Sequence, residues 1–384
     1  MDIVEIILLS GLGLSFLIQM IYYLVFYSKP LRFPKKAGNE QISASENAKS
    51  PVSIVICSRN ESQNLAQYLP LILEQDYPLY EVIVVNDGST DESDQVLSDL
   101  EEKYKHLYTT YIPEDSKYLS RKKLAMMVGI KAAKYDYLLF TEACCSPVGK
   151  DWISCMMRNF SDTKSIVLGF SPLKKGNSLK DRFAAYDNLI DGLRYLSFAI
   201  MNRPYSGNGR NMAYKKSLFF ENKGFSKYMY LQSGEDDLFI NQIATSENTA
   251  VELAPESMQL MQLEDFKLWK EIKLCRATTQ HHYKPGPVAF WRCESISRLF
   301  FGIFAIAAIV YGFWGLLLPT IAVFAFLARL TTQLLVINKS AKKLNTGRFY
   351  YLLPLFDFFQ LLFDFYIYIS RLKRGKKDYI GIYS

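Results

Sequence analysis

The sequence predicts an α/β domain with a mostly parallel sheet, bracketed by N-terminal and C-terminal membrane helices. Three observations carry this. Between residues 51 and 142, apolar runs of strand length alternate with amphipathic runs of helix length. The strand runs are apolar at nearly every position, as in strands covered on both faces. Long segments almost free of charge stand at both ends of the chain.

Taken in order, residues 3–27 (IVEIILLSGLGLSFLIQMIYYLVFY) carry Glu5 as their single charge. That exceeds the ~20 residues needed to cross a bilayer. Acidic Asp2 and Glu5 at the front, and no small-residue cleavage site behind, argue an uncleaved anchor over a signal peptide. Residues 1–28 are thus read as the anchor and 29–50, ending in QISASENAKSP, as a polar linker. From Pro51 onward VSIVIC, EVIVVND, LYTTYI and YDYLLF read as strands. NLAQYLPLILEQ, DESDQVLSDLEEKY and KKLAMMVGIKAAK read as the helices between them. SIVLGF is a further strand candidate and SLKDRFAAYDNLIDGLRYLSFAI a long amphipathic helix. This domain is taken as 51–290 and the C-terminal membrane region as 291–384. Within the latter, spans are expected near 299–317 and 319–337, turning at Leu318-Pro319. Segment 350–369 either spans or lies re-entrant or interfacial.

Lys29, Arg32, Lys35 and Lys36 after the first span, and Lys339, Lys342, Lys343 and Arg348 in a later loop, put both stretches inside. The expected location is a multi-pass inner (cytoplasmic) membrane protein with its α/β domain in the cytoplasm. The basic tail breaks the parity of this scheme if 350–369 crosses. Net charge is +7, but from Asn338 onward nine Lys/Arg oppose three Asp/Glu, a local +6. Anionic headgroups explain that excess better than nucleic acid, which is not an expected partner. Arg329 inside a span needs a counter-charge, and Asp357 or Asp364 is available. The six cysteines show neither CxxC spacing nor a disulfide framework. Cys144 and Cys145, adjacent after a strand, are expected on opposite sides, and zinc held by them with His281 and His282 has no spacing support.

Chemistry concentrates at strand ends. CSRNES closes the first strand, NDGSTD the second and FTEACCSP the fourth. In a doubly wound sheet these loops gather at the carboxyl edge, where ligands bind. There is no GxGxxG after the first strand, so the dinucleotide fingerprint is missing. Asp87 at such an edge can accept hydrogen bonds from a base or ribose, whereas Ser89, Thr90 and Asp91 alone would be an ordinary helix cap. Arg121-Lys122-Lys123 at a helix start is unfavourable against the helix dipole, which favours an anionic ligand there. SGNGRN reads as a turn. Ser233-Gly234-Glu235-Asp236-Asp237 before LFINQIA reads as a helix cap with acids in its first turn.

Together, VSIVICSRNES, IVVNDGSTD, RKKLAMMVGIKAAKYDYLLFTEACCSP, SGNGRNMAYKKSLF, SGEDDLF and WKEIKLCRATTQHHY resemble membrane-bound, inverting family-two glycosyltransferases over about residues 51–284. The resemblance implies a GT-A fold, a nucleotide-sugar donor and a divalent cation, Mg²⁺ or Mn²⁺. It places Ser58, Asn60 and Glu61 at the nucleoside, Asp87 at the base, Lys122 or Lys123 at the diphosphate and Glu142 at the cation. It places Gly209, Arg210, Asn211, Trp269 and Arg276 around sugar and acceptor. Of Glu235, Asp236 and Asp237, Asp236 becomes the general base, with Asp237 as second choice. Two motifs depart from the family. Its Asp-x-Asp is Glu142-Ala143-Cys144 here, so the cation is held weakly or is absent. Its Gln-x-x-Arg positions fall on Ile272 and Cys275, and Arg276 is one residue late, a turn of about 100° on a helix. The implied function is sugar transfer to a lipid or lipid-linked saccharide. The alternative is a catalytically impaired relative that binds nucleotide or a partner transferase as scaffold. No sequence feature names a protein partner. A transporter fits badly, because the spans carry few polar groups.

Overall fold

A computed structural model describes residues 2–34, 49–113, 120–313 and 315–373. Most of the 29–50 linker and the tail beyond Lys373 therefore lie outside the described residues. The chain forms two compact units, Pro34–Tyr283 with Ile367–Ser384, and Met1–Phe33 with Lys284–Tyr366.

The first unit holds nine described strands: β1 (Val52–Ser58), β2 (Tyr80–Asn86), β3 (Leu107–Tyr111), β4 (Tyr137–Glu142), β5 (Cys145–Pro147), β6 (Ile166–Leu168), β7 (Met212–Lys215), β8 (Thr249–Val251) and β9 (Gln259–Met261). Seven of them make one sheet in the order β3-β2-β1-β4-β7-β6-β8, while β5 and β9 pair separately. Pairing is parallel except at β7, which runs antiparallel to β4 and β6. The strands are apolar throughout because both faces are covered: Val52, Ile54, Val55 and Ile56 in β1 and Val82 to Val85 in β2 are all buried. On one face, helix Arg121–Ala132 lies directly on β1 and β2. A Cβ built at Gly129 would come within 2.6 Å of Val55, so the glycine permits that approach.

Register sets the functional edge. Ser58 stands opposite Asn86 on β2, and Cys57 opposite Glu142 on β4. The last residues of β1, β2 and β4 thus end level. Asp87 follows immediately, its N–H donating to the Ser58 carbonyl at 2.8 Å.

The second unit contributes apolar helices. Over the whole chain, four described segments are long and apolar enough to cross a membrane: Ile3–Arg32, Pro285–Tyr311, Leu317–Lys343 and Tyr350–Lys373. The turn expected at Leu318-Pro319 falls earlier, between Tyr311 and Leu317, with Leu316 at φ 56°. Pro319 sits in the first turn of its helix, where a missing N–H costs nothing. The helix expected from 299 begins at Pro285. Segment 350–369 is helical after a short 3₁₀ turn at Tyr350–Leu352.

Arg329 meets Asp357 at 2.8 Å, and the other oxygen of Asp357 takes Arg298 at 3.0 Å. Gln19 accepts from Arg329 at 3.1 Å, and Gln360 accepts from Arg298 at 3.0 Å. One carboxylate therefore answers two buried guanidinium groups from different helices. Replacing Asp357 with Ala would leave both buried charges without it, a loss of about 3–5 kcal/mol for a broken buried pair. A thermal-unfolding midpoint of the detergent-solubilised protein should fall sharply for D357A. An unchanged midpoint would mean the bridge is not structural.

Candidate active site

At the carboxyl edge of the sheet a cleft encloses about 1090 Å³, part of it open to solvent. The edge loops supply Ser58, Glu61, Asp87 and Glu142 to its wall. Lys122 enters from helix Arg121–Ala132, which precedes β4 in sequence, Arg210 from the loop before β7, and Glu235, Asp236 and Asp237 from the start of helix Asp237–Ile243 and the turn before it. Helix Phe266–Thr279 closes the far side with Ile272, Cys275, Arg276 and Thr279. Segments as distant in sequence as Ser58 and Thr279 thus meet within one site.

The cleft is crowded with charge, and nearly every charge is answered. Lys122 Nζ lies 2.7 Å from Glu142 Oε1 and 3.2 Å from Glu235 Oε1. Burial pushes the Glu142 carboxyl up, but Lys122 and then Arg210 outweigh it and hold it below its ordinary value. Arg121 pairs with Asp87 at 2.8 Å. Burial still wins at Asp87 and raises its carboxyl. Burial also pushes Glu61 to about 7, against a hydrogen bond from Asn64.

Asp236 and Asp237 are adjacent but unlike. Asp236 caps its helix and accepts backbone N–H groups, from Gly209 on Oδ2 at 2.8 Å and from Asp237 on Oδ1 at 2.7 Å. Its Cβ comes within 3.3 Å of the position a Cβ at Gly209 would take, so only glycine lets the loop close on it freely. Arg276 Nη2 is 3.9 Å from Asp236 Oδ2. Burial raises Asp236, yet Arg276, Lys122 and the two amides together keep it below its ordinary value. Asp237 is deeper. Burial and the Asp236 charge push it to about 6, although the Thr279 and Tyr283 hydroxyls donate to it.

Several expected site residues lie elsewhere. Lys123, offered as the alternative to Lys122, is fully buried and donates to the carbonyls of Tyr228 and Leu231, each at 2.6 Å. It fastens that loop instead of facing the cleft. Asn60 braces the next loop, accepting from the Thr90 N–H at 2.8 Å, and is not on the cleft wall. Asn211 is buried in the core, accepting from the Trp152 indole at 3.1 Å and donating to Phe170 and Ser257 carbonyls. Trp269, expected at the sugar, is 1% exposed, and its indole donates to Asp187 at 3.0 Å. Gly209 reaches the site only through its backbone. Arg276, one residue late by sequence, lines the cleft nonetheless, because the helix presents both Cys275 and Arg276 there. Arg121, Thr279 and Tyr283 were not among the expected site residues. The three consecutive cations were the one sequence signal for the first, and the hydroxyls gave none.

Cys144 and Cys145 do not point apart. Ala143 and Cys144 form a turn between β4 and β5, and donor atoms of Glu142, Cys144 and Cys145 lie within 4.8 Å of one another. Contact with Cys145 and burial push the Cys144 thiol well up, so it stays protonated. Mg²⁺ and Mn²⁺ prefer oxygen, and the one carboxylate in this set already holds Lys122. These residues do not fit a hard divalent cation.

Known proteins agree with this architecture. Residues 53–222 match the family described as "Glycosyl transferase family 2". The poly-beta-1,6-N-acetyl-D-glucosamine synthase of Staphylococcus epidermidis is 25% identical over 134 residues, 34% of this chain and 30% of that protein. Glycosyltransferase AglE of Haloferax volcanii is 29% identical over 170 residues, 44% of this chain and 51% of that one. The alignments thus span about a third to a half of these relatives' length. Among solved structures, the mannosyltransferase PcManGT of Pyrobaculum calidifontis, in complex with GDP-Man and Mn²⁺, superposes with a TM-score of 0.60. It is 18% identical, with 96% of this chain and 99% of that one covered. Residues 53–222 therefore match glycosyl transferase family 2, on a fold shared with a GT-A enzyme, and the chain also has helices long and apolar enough to span a membrane.

Proposed function

We propose that the chain is a membrane-bound inverting glycosyltransferase. It moves a sugar from a nucleoside-diphosphate donor to a lipid or lipid-linked saccharide at the cytoplasmic face of the cell membrane. The observation that carries this reading is one cleft that gathers two sets of residues. Ser58, Glu61, Asp87 and Glu142 come to it from the strand edges, and Lys122, Asp236, Arg210 and Arg276 line the same cleft. Apolar helices support an amphiphilic acceptor, since a site at a bilayer surface reaches lipids.

In this reading the nucleoside lies against Ser58, Glu61 and Asp87. Arg121 keeps the Asp87 carboxylate oriented for a base or ribose. Lys122 meets the diphosphate as a point charge. The acceptor hydroxyl attacks the anomeric carbon opposite the leaving group, and its proton passes to Asp236. Asp236 suits the role because Arg276, Lys122 and two backbone N–H groups hold its pKa below the ordinary carboxylate value and so keep it ionised at neutral pH, and those two hydrogen bonds fix its direction. Asp237 and Glu235 support it: Asp237 anchors the turn through Thr279 and Tyr283, and Glu235 steadies Lys122. Mn²⁺ accompanies GDP-Man in PcManGT. The Glu142-Ala143-Cys144 sequence favours the scaffold reading as its competitor.

Asp236→Asn should lower sugar transfer by roughly 10²- to 10⁴-fold, the usual worth of a general base, while nucleotide affinity stays near wild type. Radiolabelled nucleotide sugars and a membrane lipid extract supply that assay. Wild-type protein that binds nucleotide yet transfers nothing would establish the scaffold instead. The raised Asp237 carboxyl makes a second prediction. Its protonated form is the one the fold favours, so its stabilising effect is full below about 3.8 and is lost as pH rises through about 6. Asp237→Asn should flatten that part of the pH dependence of the unfolding midpoint. An identical slope in wild type and variant would show that another group titrates there.

A further inference from the structure

We infer that Lys122 takes the place of the divalent cation, so that this domain binds its nucleoside diphosphate without metal. The inference rests on the glycosyl-transfer reading and deepens it at the same site.

The fourth strand of the sheet ends in Glu142, and the next possible ligand two residues on is the thiol of Cys144. One carboxylate and two thiols are a poor cage for Mg²⁺ or Mn²⁺. The space a cation would take against Glu142 already contains one. Lys122 Nζ sits 2.7 Å from Glu142 Oε1 and 3.2 Å from Glu235 Oε1, on a side chain only 18% exposed. A dication brought to the same carboxylate would meet the ammonium at close range and be repelled. Lys122 also stands in the first turn of helix Arg121–Ala132, with Ser120 as its cap. Of the two carboxylates that hold it, Glu142 ends β4 and Glu235 comes from the turn before helix Asp237–Ile243. An arriving diphosphate therefore finds a cation whose position is already fixed. Lys123 next to it is committed to two carbonyls, so the two lysines are not interchangeable.

The step balances without metal. The acceptor oxygen forms a bond to the anomeric carbon as the bond from that carbon to the β-phosphate oxygen breaks. The electron pair leaves with the nucleoside diphosphate, and the hydroxyl proton goes to Asp236. Lys122 keeps its protons and donates hydrogen bonds to the oxygen that gains charge.

The full chain in lipid nanodiscs should be titrated with UDP, GDP, CDP and dTDP by calorimetry, in EDTA and in millimolar Mn²⁺. The expected result is that the bound nucleotide shows affinities within about threefold in the two buffers. Lys122→Ala should weaken it roughly 10- to 100-fold, and Lys122→Arg should retain most of it. In the double variant Lys122→Ala/Cys144→Asp, affinity should return only with Mn²⁺, with a nucleotide-dependent change in the Mn²⁺ spin-resonance spectrum. Wild-type binding that disappears in EDTA, with such a spectral change in wild type, overturns the inference. That arm needs no variant and so survives a misfolded Lys122→Ala. Binding of none of the four nucleotides in either buffer would remove the glycosyl-transfer reading itself, and the inference with it.

Discussion

The level ending of three parallel strands is the constraint on which the rest of the site depends. β1 pairs in register with both β2 and β4, so Ser58, Asp87 and Glu142 arrive at one edge without any long-range signal to place them. Slipping one strand by a residue would draw the polar groups at its end into the covered sheet or push an apolar residue out into the cleft. The burial of Val52 to Ile56 and Val82 to Val85 opposes that slip. Packing in the core thus fixes geometry in the cleft.

Once several acids share a half-closed cleft, their charges must be met. Arg121 answers Asp87, Lys122 answers Glu142 and Glu235, and Arg276 stands beside Asp236. At Asp236 and Glu142 nearby cations keep the carboxylate ionised despite burial, whereas at Asp87 burial outweighs Arg121. Where burial and a like charge combine, as at Asp237, the acid holds its proton longer. Neighbouring carboxylates in one turn therefore acquire different chemistry from position alone.

The same electrostatic rule orders the membrane unit in a harsher solvent. Arg298 and Arg329 come from separate helices and share the two oxygens of Asp357, with Gln360 and Glu294 also beside Arg298 and Gln19 and Tyr23 beside Arg329. An unpaired guanidinium in a bilayer is costly, so this bridge ties helix position to charge compensation. Of the two acids available to Arg329 by sequence, helix phase chose Asp357.

By itself the sequence determined the alternation of strands and helices, the charge-free segments at both ends and the acids and cations of the strand-end loops. These are local properties: hydrophobic period, capping residues and runs of charge are legible wherever they occur. The motifs of these loops, in their order and spacing along the chain, were enough to carry the family resemblance. What only the tertiary structure decided is which of two neighbours faces the ligand. Lys122 enters the cleft and Lys123 the loop behind it; Arg210 lines the cleft and Asn211 the core; Trp269 is interior and Arg276 is not. β7, β8 and the β5–β9 pair also escaped the sequence, being too short to show a period and formed only by their partners. A side chain's direction depends on helix phase, strand register and the turn preceding it. Those are settled by distant packing, and adjacent residues of one type carry no mark of the outcome.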